Sequence, residues 1–296
     1  MRISKELLGC GTALVTPFTK EKKIDFKNLK SLVCRQIDSG IDFLVPCGTT
    51  GENACMSMDE HLNVVGTVVD TVNGKVPVLA GAGGYNTVHV LEMASEVAKQ
   101  GADAILSVVP YYNKPTQQGL FEHFKTIAEG VELPIVLYNV PGRTGCNLLP
   151  DTILKLSEID NIIAVKEASG NIDQLVDLAL LLPDDFSILS GDDAISLPII
   201  ALGGKGVISV ISNEIPKQMC EFVHCCLDGQ FKKALDLQKY LQPLMSMNFI
   251  ETNPIPVKTA MAMMGLLEEN FRLPLVPMSK MNRYKLKDCL HKMRLI

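Results

Sequence analysis

The chain of 296 residues contains no tryptophan, and only 5% of its residues are aromatic. It also lacks a block of Lys and Arg, and its formal net charge is −5. Because nucleic-acid-binding surfaces are usually basic, these features speak against nucleic acid as a partner. No apolar run approaches the roughly 20 residues that a transmembrane helix needs. We therefore expect a cytoplasmic protein with no membrane partner.

Disulfide and metal frameworks are also missing from the sequence. The nine cysteines form no CxxC pair and are odd in number, a pattern typical of buried free thiols in a reducing compartment. Cys220, His224, Cys225 and Cys226 lie close together, but no second ligand pair stands at a zinc-like spacing. We interpret this cluster as part of a packed helix and predict no metal site.

Short apolar runs recur through the first three quarters of the chain, each separated from the next by about one strand-helix unit. They end near Thr16, Cys47, Ala80, Val109, Tyr138, Lys166, Ser190 and Ser209. Helical periodicity occupies residues 28–37, 61–72, 88–98, 119–128 and 172–182. Eight such repeats predict an α/β fold, a (β/α)8 TIM barrel over residues 1–227. A doubly wound open sheet is the alternative, weakened because no GxGxxG turn follows the first run.

After residue 227 the strand pattern stops. Residues 231–244 and 256–267 have helical periodicity, with an apolar face rich in methionine. Methionines at such spacing usually pack in a core rather than bind a ligand. We predict a small helical C-terminal domain over residues 228–296.

Lys166 ends an apolar run and precedes the turn at residues 167–170. A lysine is rarely buried unless it is paired or has a chemical role. At the reference pKa of about 10.4, only about one amine in 2,500 is unprotonated at neutral pH. Partial burial among Ile, Ala and Val would lower that pKa by disfavouring the ammonium form, and so prepare the amine to form a Schiff base. On this segment alone, a lysine with a packed stem and a solvated head remains the alternative.

Polar groups follow other predicted strands at the end where the active sites of such barrels lie. Thr49 and Thr50 stand in a glycine-flanked turn that could hold a small carboxylate or be an ordinary turn. Arg143 has the fork geometry for a second carboxylate, with a surface ion pair as the alternative. The period of two in strands points Tyr138 into the barrel with Lys166, where the phenol could transfer protons.

Together these motifs resemble the dihydrodipicolinate synthase family of the pyruvate-dependent class I aldolases and lyases. The resemblance covers essentially the whole chain. It rests on residues 11–18, 48–52, 111–115, 138–145, 165–170, 190–193 and 203–209.

The resemblance implies a role for each of four catalytic residues. Lys166 forms the Schiff base with pyruvate, and Tyr138 donates and accepts protons. Thr49 and Tyr112 complete a hydroxyl relay, with Tyr112 supplied by a neighbouring subunit. The chain would then assemble as a homodimer or homotetramer and need no metal or organic cofactor.

The resemblance also implies how the substrates bind. Thr50 binds the carboxylate of pyruvate, Ile208 adds a main-chain contact, and Gly191 belongs to the same site. Arg143 binds the carboxylate of L-aspartate 4-semialdehyde. The reaction would be the entry step to diaminopimelate and lysine biosynthesis.

Two other functions are compatible with the same residues. An N-acetylneuraminate lyase or a 2-keto-3-deoxy sugar acid aldolase would share the lysine and the tyrosine, but would bind a polyol in place of the short aldehyde. A barrel that only binds a keto acid is the other alternative, because function resides in the site rather than in the fold.

A regulatory pocket is the last feature that the resemblance implies. In lysine-inhibited members it corresponds here to Asn53, Ala54, Met58, His61, Tyr85, His89 and Tyr111. His89 stands where those members have a glutamate, and Tyr85 where they have an asparagine. An imidazole cannot replace the carboxylate that pairs with the effector's ammonium group. We therefore predict that L-lysine inhibits weakly or not at all.

Overall fold

The computed structural model describes residues 7–296, so the first six residues of the predicted barrel domain lie outside the described residues. Eight parallel strands form one sheet: β1 (Gly9–Ala13), β2 (Phe43–Val45), β3 (Leu79–Gly81), β4 (Ala104–Val108), β5 (Ile135–Asn139), β6 (Ile162–Glu167), β7 (Ser187–Ser190) and β8 (Gly206–Ser209). β2 and β3, at the two ends of the sheet order, meet at a parallel bridge between Leu44 and Val78. The (β/α)8 barrel is confirmed, and the open-sheet alternative is wrong.

Twelve α-helices are found in residues 7–296. They are α1 (Phe26–Asp38), α2 (Met58–Val72), α3 (Thr87–Lys99), α4 (Gln117–Gly130), α5 (Pro141–Thr144), α6 (Pro150–Ser157), α7 (Ile172–Leu181), α8 (Ser196–Ala201), α9 (Pro216–Leu227), α10 (Phe231–Met247), α11 (Ile255–Met263) and α12 (Lys280–Lys292). Side-chain caps fix several starts, such as the capping box that Ser57 and Glu60 form at α2. All seven helices predicted from periodicity are present.

The first strand is shorter than predicted: it ends at Ala13 rather than near Thr16. At this end of the strand the backbone forms hydrogen bonds with a side chain. Asn213 accepts a hydrogen bond from the N–H of Val15 at 3.1 Å and donates one to the carbonyl of Ala13 at 2.8 Å. The apolar run continues, but these bonds to Asn213 replace part of the strand ladder.

Two apolar layers hold the barrel together. Alternate strand residues point inward and fill the interior, among them Val45, Leu106, Val136 and Ala164. The other strand faces pack against the helices in a second, larger cluster. Within that cluster α9 buries Cys220, Cys225 and Cys226, which confirms the packed helix predicted there.

The C-terminal helices pack on the barrel and on one another. Met245 and Met261 are buried, and Met247, Met263 and Met264 are partly buried and pack against the core. The division into two domains stays a prediction, because Phe249 and Asn253 of this segment reach the pocket at the barrel mouth. Among residues 7–296 no helix has both the length and the apolar character that crossing a bilayer requires.

Candidate active site

Lys166 lies on β6 inside the mouth of the barrel and is only 6% exposed. Its strand pairs with β5 in a register that places Tyr138 beside Lys166. The lysine Nζ lies 4.2 Å from the centroid of the tyrosine ring. The two side chains that the period of two places on one face are therefore in contact.

The pKa of Lys166 is lowered to about 7, chiefly by burial. The negative charge of Asp193 opposes this shift, and the positive charge of Arg143 adds to it. At a pKa of about 7, roughly half of the amines are unprotonated at neutral pH. The handicap of an ordinary lysine, about 4.6 kcal/mol at pH 7, is then almost removed. A large share of the Lys166 side chains is therefore in the unprotonated form that attack on a carbonyl requires.

Tyr138 is itself buried, and burial raises the pKa of its phenol. The charge of Arg143 and a hydrogen bond with the Thr49 side chain act in the opposite direction on that pKa. The phenol therefore stays protonated at neutral pH and can give a proton to a group bound at Lys166 and later recover it.

Residues 48–52, which we call the threonine loop, follow β2 in a short 3-10 turn. Thr50 is buried, and its hydroxyl oxygen accepts a hydrogen bond from the Asn253 side-chain amide at 2.9 Å. Because that oxygen is the acceptor, the hydroxyl hydrogen of Thr50 is left to donate to a carboxylate. Thr49 lines the same pocket from the preceding position.

Arg143 lies in α5, directly after β5. Its guanidinium donates to the carbonyl of Asn253 at 3.1 Å and lines the pocket that contains Lys166. The pocket has a volume of about 120 Å³, the scale of a small molecule. A keto acid held at the threonine loop would place its carbonyl toward Lys166, with Arg143 free to bind a second carboxylate.

The structure brings six of the eight predicted catalytic and substrate-binding residues to this pocket: Lys166, Tyr138, Thr49, Thr50, Arg143 and Gly191. Gly191 has to be glycine, because a Cβ there would lie 2.6 Å from Ala168 and 3.1 Å from the Lys166 side chain. Ile208 is buried in the barrel interior and does not line the pocket, although Val210 does.

Tyr112 is not brought to the pocket of its own chain. Its side chain is 92% exposed, and its backbone has a left-handed φ of 70°. A bulky residue in that conformation is uncommon and is usually kept by its surroundings.

Two residues that sequence reasoning missed are built into the site. Asn253 contacts both Thr50 and Arg143, and it comes from the connection between the last predicted helices. The only sequence signal was an Asn-Pro pair between two helical segments. Asp193 belongs to the motif at residues 190–193, but the sequence indicates no role for it.

Asp193 is 1% exposed and lies after β7. Its Oδ2 accepts hydrogen bonds from the N–H groups of Val210 and Ile211, both at 3.0 Å. Its Oδ1 is buried without a hydrogen-bond partner. Burial raises the pKa of this carboxyl to about 6, so most of it is charged at neutral pH.

A hydrogen-bonded group lies behind the Lys166–Tyr138 pair. Glu167 accepts from the side chains of Asn139 at 2.9 Å and Gln174 at 3.1 Å, and from the N–H of Ser169 at 2.6 Å. Asn139 and Glu167 are register partners, one position beyond Tyr138 and Lys166. This contact holds the ends of β5 and β6 together.

The possible regulatory residues divide into two groups. Asn53, Ala54 and Tyr111 line a cavity of about 170 Å³ next to the pocket, together with Thr49 and Arg143. The other four, Met58, His61, Tyr85 and His89, do not line it. His61 is buried against the carbonyl of Gly81 at 2.8 Å, whereas His89 is exposed. Weak inhibition by L-lysine stays a prediction.

His224 is the histidine of the cluster that was considered as a metal site in the sequence. His224 lies 2.8 Å from the carboxylate of Asp42 on the outside of the barrel. Within residues 7–296, no group of three or more His, Cys, Asp or Glu side chains is arranged to hold a metal ion.

Comparison with known proteins gives a consistent result. The sequence profile described as the Dihydrodipicolinate synthetase family matches residues 6–293. A curated relative from Koribacter versatilis, named 4-hydroxy-tetrahydrodipicolinate synthase, is 54% identical over 283 residues, which are 95% of this chain and 94% of the relative.

Solved structures show the same likeness. The chloride-inhibited dihydrodipicolinate synthase from Acinetobacter baumannii, complexed with pyruvate, superposes with a TM-score of 0.96 at 40% identity, over 98% of this chain and 99% of that one. A structure described as the first monomeric dihydrodipicolinate synthase variant gives 0.96 at 42% identity, over 98% and 97%. The similarity covers the barrel and the C-terminal helices alike.

Proposed function

The chain belongs to the dihydrodipicolinate synthetase family, and we propose that Lys166 forms the Schiff base of its reaction. Its function is that of a 4-hydroxy-tetrahydrodipicolinate synthase, which condenses pyruvate with an aldehyde by a class I aldolase mechanism. The aldehyde is L-aspartate 4-semialdehyde, and the product enters diaminopimelate and lysine biosynthesis.

One observation supports the role of Lys166 above all others. Its amine is buried, has a pKa of about 7, and lies 4.2 Å from the ring of Tyr138. A nucleophilic amine beside a proton donor is the arrangement that imine formation needs.

The first half of the mechanism prepares the nucleophile. The free amine of Lys166 attacks the ketone carbon of pyruvate, and Tyr138 gives a proton to the oxygen that leaves as water. The phenolate of Tyr138 then takes a methyl proton from the resulting iminium, which forms the enamine and restores the phenol. During these steps Thr50 holds the carboxylate of pyruvate, with its hydroxyl as donor. Thr49 is hydrogen-bonded to Tyr138 and belongs to the proton relay.

The second half forms the carbon–carbon bond. The enamine carbon attacks the aldehyde carbon of L-aspartate 4-semialdehyde, and the aldehyde oxygen takes up a proton. Arg143 binds the carboxylate of this substrate by its guanidinium fork. The amine of the adduct then attacks the imine carbon, closes the ring and releases Lys166 as a free amine.

Borohydride reduction in the presence of pyruvate tests the assignment of Lys166. We expect a stable pyruvate adduct on Lys166 of the wild-type protein and none on Lys166→Ala, which has no amine. Lys166→Arg should also fail, because a guanidinium does not form the imine. Lys205→Ala, which removes an exposed lysine at the other end of the barrel, is the matched control and should keep the adduct.

Mass spectrometry of peptides locates the adduct. An adduct on another lysine would contradict the role of Lys166 while leaving the family assignment in place. A coupled assay with pyruvate and L-aspartate 4-semialdehyde, run against a keto-sugar acid, checks the substrate at the same time.

We further propose that the chain acts as a homo-oligomer in the cytoplasm. Tyr112 is 92% exposed, and Tyr85 and Val88 of the neighbouring elements are 56% and 63% exposed. Large apolar side chains grouped at one face support contact with a second copy of the chain. One similar structure is described as a monomeric variant, so activity in mixtures of subunit variants tests the assembly of this chain.

A further inference from the structure

A buried ion pair joins the threonine loop to α11. The Nζ of Lys258 lies 2.5 Å from Oε1 of Glu52, and both side chains are 0% exposed. The ammonium also donates to the carbonyl of Asn270 at 2.7 Å and lies 4.4 Å from the ring centroid of Phe18. The other oxygen of Glu52 accepts from the N–H of Arg272 at 3.3 Å. Both charges are thus compensated inside the protein.

Stability alone is a poor explanation for this pair. Removing two charges from water costs about as much as their attraction returns, and apolar replacements of similar volume are often neutral or stabilising. A buried pair does restrict its two elements to one arrangement, because a displaced charge would be left without a partner.

The position of the pair relative to the pocket shows which arrangement is restricted. Glu52 ends the threonine loop with a left-handed φ of 57°, which a residue with a side chain adopts only rarely. Lys258 lies in the helix that begins just after Asn253, the residue that donates to Thr50. The C-terminal segment therefore contacts the loop at two points, once on Thr50 and once on Glu52.

We propose that Lys258 is a positioning residue for the reaction. Acting through Glu52, it sets where Thr50 meets the carboxylate of the keto acid. Lys258 does not line the pocket and touches no reacting atom. The inference rests on the proposed role of the threonine loop in binding pyruvate. Its effect should therefore fall on KM for pyruvate more than on kcat.

The double variant Lys258→Met with Glu52→Gln tests the proposal. It removes both charges together, so neither is left buried and unpaired. Circular dichroism and a thermal melt establish that the variant is folded. We expect kcat/KM for pyruvate to fall by about 10²-fold, the size of effect that a small misplacement far from the chemistry can have. The kcat at saturating pyruvate should change much less.

The matched control removes another ion pair of the C-terminal segment, that of Arg283 and Glu269, by Arg283→Met with Glu269→Gln. This pair does not contact the threonine loop, and the control should keep the wild-type KM for pyruvate. An equal rise of KM in the control would overturn the inference, because it would indicate general loosening of the segment.

A folded Lys258→Met, Glu52→Gln protein with wild-type KM for pyruvate would also overturn it. If the double variant cannot be purified in folded form, the single variant Glu52→Gln tests the proposal. Glutamine has nearly the shape of glutamate but lacks the charge, so it weakens the interaction with Lys258. A raised KM then supports the proposal, and an unchanged KM overturns it. Failure of the wild-type protein to form a pyruvate adduct would instead count against the proposed function, so the two failures are distinct.

Discussion

Asp193 acts against the property that makes Lys166 reactive. Burial lowers the pKa of the lysine, whereas the negative charge of Asp193 stabilises the ammonium and raises that pKa. The pKa of about 7 is therefore the result of two opposing effects rather than of burial alone.

We predict that Asp193→Asn shifts the pH dependence of imine formation to lower pH. In the wild type, the rate of the reaction with pyruvate should rise with pH through a midpoint near 7, as the ammonium of Lys166 loses its proton. Without the carboxylate the ammonium is less stable, so the pKa of Lys166 falls and the midpoint follows it. Stopped-flow measurement of imine formation across pH gives both midpoints.

Glu214→Gln is the matched control for a buried carboxyl. Glu214 is fully buried, and burial raises the pKa of its carboxyl well above the usual value. The charges that act on the pKa of Lys166 are those of Asp193 and Arg143, so replacing Glu214 by glutamine should leave that pKa unchanged. In Glu214→Gln the midpoint of imine formation should stay at the wild-type pH. A midpoint at higher pH in Asp193→Asn would contradict the prediction that Asp193 raises the pKa of Lys166.

The residues of the site differ in how much the sequence says about them. Lys166 and Tyr138 could be placed together because each ends an apolar run and strands alternate with a period of two. Asn253 could not, because a loop between helices has no period from which to infer its position. The compensating charge of Asp193 depends on a side-chain direction that the sequence does not contain.

Between neighbouring strands, Glu167 and Asn139 join the ends of β5 and β6 just beyond the reactive pair. The carboxylate accepts three hydrogen bonds, and a glutamine in its place would present an NH₂ group to donors. Hydrogen bonds to charged groups contribute about 1.5–3 kcal/mol each, so this group matters for the local structure.

We predict that Glu167→Gln lowers the free energy of unfolding by about 1.5–3 kcal/mol, the contribution of one charge-assisted bond. Urea denaturation measures the change. Asp177→Asn, on the exposed face of α7, is the control and should stay within about 0.5 kcal/mol of the wild type. Equal stability of the two variants would contradict the role given to Glu167.

Helices could be predicted where their apolar periodicity extends over several turns. Helices α1 to α4 and α7 bury one face each, and their apolar spacing is plain in the sequence. α5 and α8 were not predicted, because four and six residues are too few to show a helical period. α12 was missed because only Leu286, Cys289 and Leu290 of its 13 residues are buried.

For the molecule as a whole, the position of Tyr112 raises the question of assembly. We predict that mixing inactive Lys166→Ala and Tyr112→Phe proteins, under conditions that allow subunit exchange, restores part of the activity. In each hybrid pair, one site would combine an intact Lys166 with an intact Tyr112 from the partner. A synthase assay before and after exchange measures the recovery.

Mixing Lys166→Ala with Tyr138→Phe provides the matched control. Both residues line the pocket of the same chain, so every site in a hybrid keeps one of the two lesions. This mixture should recover nothing. Absence of recovery in the Tyr112 mixture, despite exchange shown by mass spectrometry, would contradict the supply of Tyr112 by a neighbouring subunit and would place Tyr112 in the site of its own chain.

At this scale the barrel could be predicted from the spacing of apolar runs, since every strand-helix unit repeats the same pattern. The contribution of the C-terminal segment to the pocket could not be predicted in this way. Its helices have a packing pattern, but Asn253 reaches the pocket through contacts with residues some 200 positions away in the chain, as the 203-residue separation from Thr50 shows.

The separation of Asn253 from the barrel strands in the sequence fixes the order in which the parts of the active site are synthesised. The ribosome releases all eight strands, with Lys166 and Tyr138 among them, before it releases Asn253. A nascent barrel would then carry its reactive amine without the group that orients Thr50. The complete binding site for a keto acid is thus assembled only late in translation, when the C-terminal segment joins the barrel.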